Sequence, residues 1–213
     1  MTIAKNIAQV ALEIGAIQIN ARNPFTWASG FKMPIYNDNR LLLGNAKHRS
    51  LIAEGYTGLL KKHAVDVEVI AGTATAGIPH ATSLADLLQV PLIYVRSKAK
   101  SHGMGNKIEG ILKKNQRVLV IEDLISTGGS AVNAVTAIRE AGGIVNHCFS
   151  IFSYGFPEAS EKFKNISCQV DSILVFAELL KIAQSTKYIS LSDIKTLQSW
   201  QKNPFKWKSE EQV

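Results

Sequence analysis

The stretch VLVIEDLISTGGS, residues 118–130, decides how the chain is read. Val118 to Ile121 are apolar and mostly β-branched, and they run straight into Glu122 and Asp123. A short apolar run of this kind suits a buried strand of a parallel sheet, here one that carries the two acids to its exposed carboxyl-end rim. Ser126-Thr127-Gly128-Gly129-Ser130 follows as a loop of hydroxyls and glycines, and AVNAVTAIREAGG after it has helical apolar spacing. The predicted order is strand, loop, helix.

A helix N-terminus exposes unpaired backbone N–H groups at the positive end of its dipole, and glycines let an anion come close to them. The loop therefore has the makings of a phosphate site. It is not a nucleoside-triphosphate P-loop, since no Gly-Lys-Ser/Thr stands at the required spacing, and it is not a Gly-x-Gly-x-x-Gly dinucleotide turn. The paired acids set it apart from both. Two carboxylates beside a phosphate cradle would repel a bare polyphosphate, yet they would accept hydrogen bonds from a ribose diol or sit beside a metal. A ribose phosphate satisfies both halves. Short Gly/Ser/Thr turns also join strands to helices as plain connections; the flanking strand and its acid pair favour the ligand reading here.

At 213 residues the chain is long enough for one α/β domain with a sizeable core and too short for two ordinary ones, so a single domain over residues 1–213 is expected. Hydrophobic residues at 46% and charged residues at 19% are values of a soluble globular protein. No apolar run reaches about 18 residues, and Met1 to Lys5 leads into amphipathic sequence rather than a secretory core. The expectation is a cytoplasmic protein without a membrane span or membrane partner. Cys148 and Cys168 have no Cys-x-x-Cys spacing and read as small buried thiols. The formal charge of +7 admits nucleic acid, and equally a substrate carrying several phosphates.

Outward from the central stretch, residues 3–14 read as an amphipathic helix, and NPFTWASGFKMPIYNDNR, residues 23–40, as a flap of short strands and turns. Phe25, Trp27 and Tyr36 give that flap aromatic faces, while Ser29, Lys32, Asn37 and Arg40 give it polar edges, which together suit a flat heterocycle. A helix is expected over residues 45–63. Residues 67–71 read as a strand that leads through GTATAGIP into a helix over residues 78–88. This repeats the strand, small-residue loop, helix order, so two anion-receiving loops should share one sheet edge. After a strand over residues 91–96, SKAKSHGMGNKIEG has almost nothing to bury. A mobile basic lid over about residues 97–110 is expected, with Arg96, Lys98, Lys100 and Lys107 as its cations and Gly103 and Gly105 as hinges. Residues 145–153 read as a strand. Residues 166–176 fit strand or helix, and a strand to about Leu174 with a helix through Ala183 is expected. Ser190-x-x-Asp193 opens a closing helix, and the tail from Pro204 reads as frayed.

FTWASG, GTATAGIP, YVRSKAKSHG, NKIEG and EDLISTGGSA, in this order from Phe25 to Ala131, closely resemble the orotate phosphoribosyltransferases among the type I phosphoribosyltransferases, and LQSWQKNP in the last helix fits the same family. The resemblance implies an α/β fold with a central, mostly parallel sheet flanked by helices, and a small hood formed mainly by about residues 1–40 and the C-terminal region. It implies transfer of the 5-phosphoribosyl group from phosphoribosyl diphosphate (PRPP) to orotate, giving orotidine 5'-monophosphate and diphosphate with magnesium, in pyrimidine synthesis. Carried over by motif, Glu122, Asp123, Leu124, Ile125, Ser126, Thr127, Gly128, Gly129 and Ser130 bind PRPP. Within this set Thr127 to Ser130 hold the 5-phosphate and the two acids face the ribose hydroxyls. Arg96, Lys100 and His102 match diphosphate-side residues, and Lys100, His102 and Asp123 are the catalytic candidates. Lys100 and His102 lie on a lid that reaches a neighbouring subunit's site, which implies a homodimer. Ser126, Ser29, Gly30 and Tyr36 match the orotate side. No protein residue is assigned as a certain metal ligand; magnesium arrives with PRPP, with Asp123 as the candidate contact. The chain departs from many relatives at Ala28, Thr75-Ala76 and Ser97, where lysine, Tyr-Lys and lysine are common.

Two other readings stand beside this one. A purine phosphoribosyltransferase would share the sugar site and differ in the base pocket, so adenine or xanthine turnover would mark it. A nucleotide-sensing repressor of the same fold would place the basic surface on DNA, but there is no room for a helix-turn-helix before Phe25; binding of nucleic acid is therefore not expected.

Overall fold

The computed structural model describes residues 2–26, 30–97 and 107–207. Helix α1 (Ile3–Glu13) is capped by the Thr2 hydroxyl, which accepts from the Lys5 amide at 3.3 Å, and buries Ile7, Ala8, Ala11 and Leu12. Next come the short strands β1 (Ile17–Ile19), β2 (Phe25–Thr26), β3 (Lys32–Met33) and β4 (Ile35–Asn37); β1 pairs antiparallel with β4 and β2 with β3, which builds the flap. A 3-10 turn (Asn39–Gly44) leads to α2 (Ala46–Lys62). The main sheet then follows: β5 (Val69–Thr73), α3 (Gly77–Leu88), β6 (Leu92–Val95), β7 (Ile108–Glu109), β8 (Arg117–Ile125), α4 (Gly129–Glu140), β9 (Ile144–Ser153), α5 (Pro157–Asn165) and β10 (Gln169–Val175). Helices α6 (Phe176–Ser185) and α7 (Leu191–Lys202) close the chain.

The sheet order is β10-β9-β8-β5-β6-β7, parallel throughout except for β7 against β6. Its strands read as continuous apolar runs because both faces are covered. Alternate residues serve two cores: Ile70, Leu119 and Ile121 face α1, α2, α3 and α6, whereas Val69, Ala71, Val118 and Val120 face α4 and α5. The chain leaves β5 towards β6 and later crosses back to place β8 on the other side of β5. The point where the winding reverses therefore lies between the carboxyl ends of β5 and β8, where open α/β sheets bind ligands.

Several expectations are corrected here. Strand β8 does not stop before the acids. Pairing with β9 carries it on through Glu122↔Ser150, Leu124↔Phe152 and Ile125↔Ser153, so Glu122 is buried within the strand and not set out on a rim. Strand β5 starts at Val69, and α4 starts at Gly129, two residues before the apolar spacing begins. Helix α5, which the reading passed over, opens with Pro157 at its first turn and carries a Glu158–Lys162 pair at 2.6 Å. The far end of the predicted lid is a strand, since β7 pairs with Tyr94 and Val95. The tail is not frayed at its start: the Phe205 ring meets Phe31 at 5.4 Å and Phe156 at 6.0 Å between centroids. Beside it Trp200 is fully buried and its indole N–H points to the Met33 sulfur at 2.9 Å. Cys148 and Cys168 are buried free thiols, as read.

Candidate active site

At the carboxyl end of β8 the chain turns through Ser126 and Thr127 to Gly128, which has φ +77° and caps α4 without any side-chain hydrogen bond. A left-handed residue at this point favours glycine. A Cβ there would also stand 3.2 Å from the Phe163 ring of α5. The first-turn amides of α4 are thus left to whatever the loop receives. A Cβ on Gly129 would meet nothing within 4 Å, so the space in front of the helix is open.

The second loop lies next to it. Helix α3 begins at Gly77 after Ala76, again with no side-chain cap. A Cβ on Gly77 would fall 2.5 Å from the Thr73 hydroxyl and 2.6 Å from the Ile121 carbonyl. Glycine therefore lets α3 start against β8 just before the acids. Both N-termini open at the same edge, as the repeated strand, loop, helix order predicted. Their dipoles favour an anion between them.

Glu122 is tied on several sides. Its Oε1 accepts from the Asp123 amide at 3.1 Å and its Oε2 from the Ser130 hydroxyl at 2.9 Å. The Thr73 hydroxyl, 3.1 Å from the Ile121 carbonyl, also reaches the carboxyl. Burial, and then the Asp123 charge, push Glu122 up to about 8, against the pull of the two hydroxyls. Burial also raises Asp123, opposed by Glu122, by the amides of Asp123 and Leu124, and by the Arg40 charge. Burial thus disfavours two charges side by side here, and the two carboxyls titrate as a pair.

The main chain beneath the acids is held as well. The Asn39 amide donates to the Asp123 carbonyl at 2.8 Å, and the Tyr56 hydroxyl donates to the Glu122 carbonyl at 2.9 Å. Arg40 grips Asp38 through Nε at 2.6 Å and Nη2 at 2.8 Å, which holds Asp38 below the usual carboxylate range. Sequence reading missed Asn39, Tyr56 and Thr73. Tyr56 sits on the inward face of α2 and reads as core, and its only signal was a hydroxyl on an otherwise apolar face.

The expected site residues divide by position. Glu122, Asp123, Ser126, Thr127, Gly128, Gly129 and Ser130 come together as one strand end and turn. The Ile125 side chain is buried on the α4 side and its carbonyl accepts from the Tyr154 amide at 3.1 Å. Leu124 packs against the opposite core. Arg96 follows β6 directly, its amide bonded to the Lys107 carbonyl at 2.8 Å and its guanidinium 3.3 Å from Glu109. Val95 lies in register with Thr73, so Arg96 stands beside the second loop. Gly30 has φ +84°, and Tyr36 is exposed with its ring 6.0 Å from Phe25. Trp27, Ala28, Ser29, Lys98, Lys100, His102, Gly103 and Gly105 lie outside the described residues. Among the described residues no group of three or more His, Cys, Asp or Glu could hold a metal ion, and no helix is long and apolar enough to cross a membrane.

Residues 47–177 match the model of the phosphoribosyl transferase domain. The chain is 47% identical over 207 residues to the orotate phosphoribosyltransferase of Listeria monocytogenes, covering 97% of this chain and 99% of that protein. It is 50% identical over 200 residues to that of Bacillus cytotoxicus, covering 94% of this chain and 95% of that protein. Among solved structures, the orotate phosphoribosyltransferase of Aeropyrum pernix superposes with a TM-score of 0.74 at 27% identity, over 86% of this chain and 99% of that one.

Proposed function

This chain belongs to the phosphoribosyl transferase family, in its orotate phosphoribosyltransferase branch, and from that premise we propose how its residues divide the work. The enzyme transfers the 5-phosphoribosyl group of PRPP to orotate, releasing diphosphate, in pyrimidine synthesis. Thr127 to Ser130 receive the 5-phosphate on the first-turn amides of α4. Asp123, beside the buried Glu122, accepts hydrogen bonds from the ribose hydroxyls. Ser126 and the flap around Ser29, Gly30 and Tyr36 wall the pyrimidine.

Leaving of diphosphate develops positive charge on the ribose and negative charge on the departing oxygens, so groups that meet those charges lower the barrier. Asp123 lies on the positive side, and Arg96, Lys100 and His102 serve the negative one. The ring nitrogen of orotate supplies the nucleophile, so no side chain needs to attack. Hard carboxylate oxygen at Asp123 suits magnesium, which is held by one or two carboxylates together with substrate oxygens; bound there, it supplies charge neutralisation. We further propose a cytoplasmic homodimer, one domain per chain with the hood from about residues 1–40 and the C-terminal region, in which Lys100 and His102 on the lid serve the partner's site.

The observation that carries this reading is the uncapped α4 N-terminus at Gly128, set against the Glu122–Asp123 pair. Orotate absorbance followed with and without PRPP tests it, using Lys100→Ala, Asp123→Asn and their mixture. Each variant alone should lose at least about a hundredfold in kcat. The mixture should recover activity, because a mixed dimer holds one intact site. No recovery on mixing would rule out the shared lid, and full activity of Asp123→Asn would rule out the ribose role.

A further inference from the structure

The last register pair of β5 with β8 is Gly72↔Ile121, and beyond it β8 runs on beside β9 alone. Backbone groups past that point need partners from outside the sheet. Asn39 and Tyr56 supply two, on consecutive carbonyls, those of Asp123 and Glu122. Both side chains are buried, Asn39 at 1% exposure and Tyr56 at 0%, so each acts on the acids from behind and neither fronts the open edge.

Their places in the chain differ in a useful way. Tyr56 belongs to α2, part of the packed helical layer against the sheet. Asn39 opens the 3-10 turn that follows β4, the flap strand bearing Tyr36. Its neighbours Asp38 and Arg40 form a two-point ion pair, and the Arg40 charge reaches Asp123. One short turn therefore holds the Asp123 main chain and follows directly from the flap strand. We propose that Asn39 and Tyr56 are positioning residues for ribosyl transfer: they fix the backbone under Glu122 and Asp123 so that the carboxyls stay aimed at the ribose, and Asn39 couples that aim to the flap. The proposal rests on the reading of the acids as the ribose-facing pair.

Tyr56→Phe and Asn39→Asp each remove one donor with little change of shape, and Asn39→Ser, which adds no charge, replaces the second if it does not fold. Asp123→Asn is the reference. Kinetics are measured with PRPP and with a PRPP analogue lacking the ribose 2-hydroxyl, with thermal melting recorded for every variant. Tyr56→Phe and Asn39→Asp should each lower kcat/KM for PRPP about tenfold, leave the KM for orotate within about twofold, and shrink the preference for PRPP over the analogue. A merely structural role would lower both substrates in proportion to lost folded protein and keep that preference, which would overturn the proposal. Wild-type behaviour of both variants beside an impaired Asp123→Asn would also overturn it, while leaving the ribose reading intact. If Asp123→Asn itself discriminates like the wild type, the ribose reading falls first.

Discussion

His80 lies one turn into α3 on its inward face, 1% exposed, with neither ring nitrogen bonded among the described residues. Burial alone lowers it to about 4 from its ordinary 6.5. The folded protein thus keeps a neutral imidazole where the unfolded chain would take up a proton below 6.5. Stability from this group is whole above about pH 6.5 and is lost as pH falls from there towards 4, on the order of 3 kcal/mol across the window. Other carboxylates add to the acid limb, Asp38 and Asp193 among them, held low by their bonds to Arg40 and Ser190 respectively. A paired comparison isolates His80. His80→Leu should melt no lower than the wild type at pH 7.5, because an unbonded N–H leaves the core, and should fall less steeply between pH 6.5 and 4.5. Parallel melting curves against pH for the two proteins would contradict the shift.

The helix starts are where element and site are one structure, and two glycines separate the roles. Gly77→Ala forces a methyl against the Thr73 hydroxyl and the Ile121 carbonyl, so α3 must move off β8. Overpacking of this kind costs about 1–3 kcal/mol, and calorimetry should show a lower Tm together with weaker PRPP use. Gly129→Ala points its methyl into open space at the start of α4, where alanine also favours helix. Its Tm should hold while KM for PRPP rises about tenfold or more; unchanged PRPP kinetics would remove the phosphate from this turn. Both loops were legible from the sequence because glycine, a hydroxyl run and a switch from apolar run to helical spacing coincide there. The extent of β8 was not, since two charged residues read locally as a strand end. What extends it is β9, ten residues long, pairing on to Ser153. Helix α5 was missed although Pro157 and the Glu158–Lys162 spacing signal it, because its apolar face is only Ala159 and Phe163. Asn39 and Tyr56 could not be seen as site residues because their partners are carbonyls 84 and 66 positions away.

Across the whole molecule the charge is unevenly usable. The chain carries 24 Lys and Arg against 17 Asp and Glu. Several of the cations are neutralised in place: Arg40 by Asp38, Lys62 by Asp171, Arg117 by Asp66 and Glu68, Lys162 by Glu158. The formal net charge of +7 gives the molecule a net positive field, felt over about 30 Å at 0.01 M salt and about 8 Å at 0.15 M. PRPP, with a monophosphate and a diphosphate, couples to that field more strongly than orotate, with its single carboxylate. Raising potassium chloride from about 0.01 M to 0.3 M at fixed free magnesium should therefore lower kcat/KM for PRPP by roughly three- to tenfold. The value for orotate should fall less, and kcat at saturation should change little, since the field acts on encounter and the bound phosphate is held by short-range amide contacts. Equal salt dependence for the two substrates would show that the excess charge serves something other than capture of PRPP.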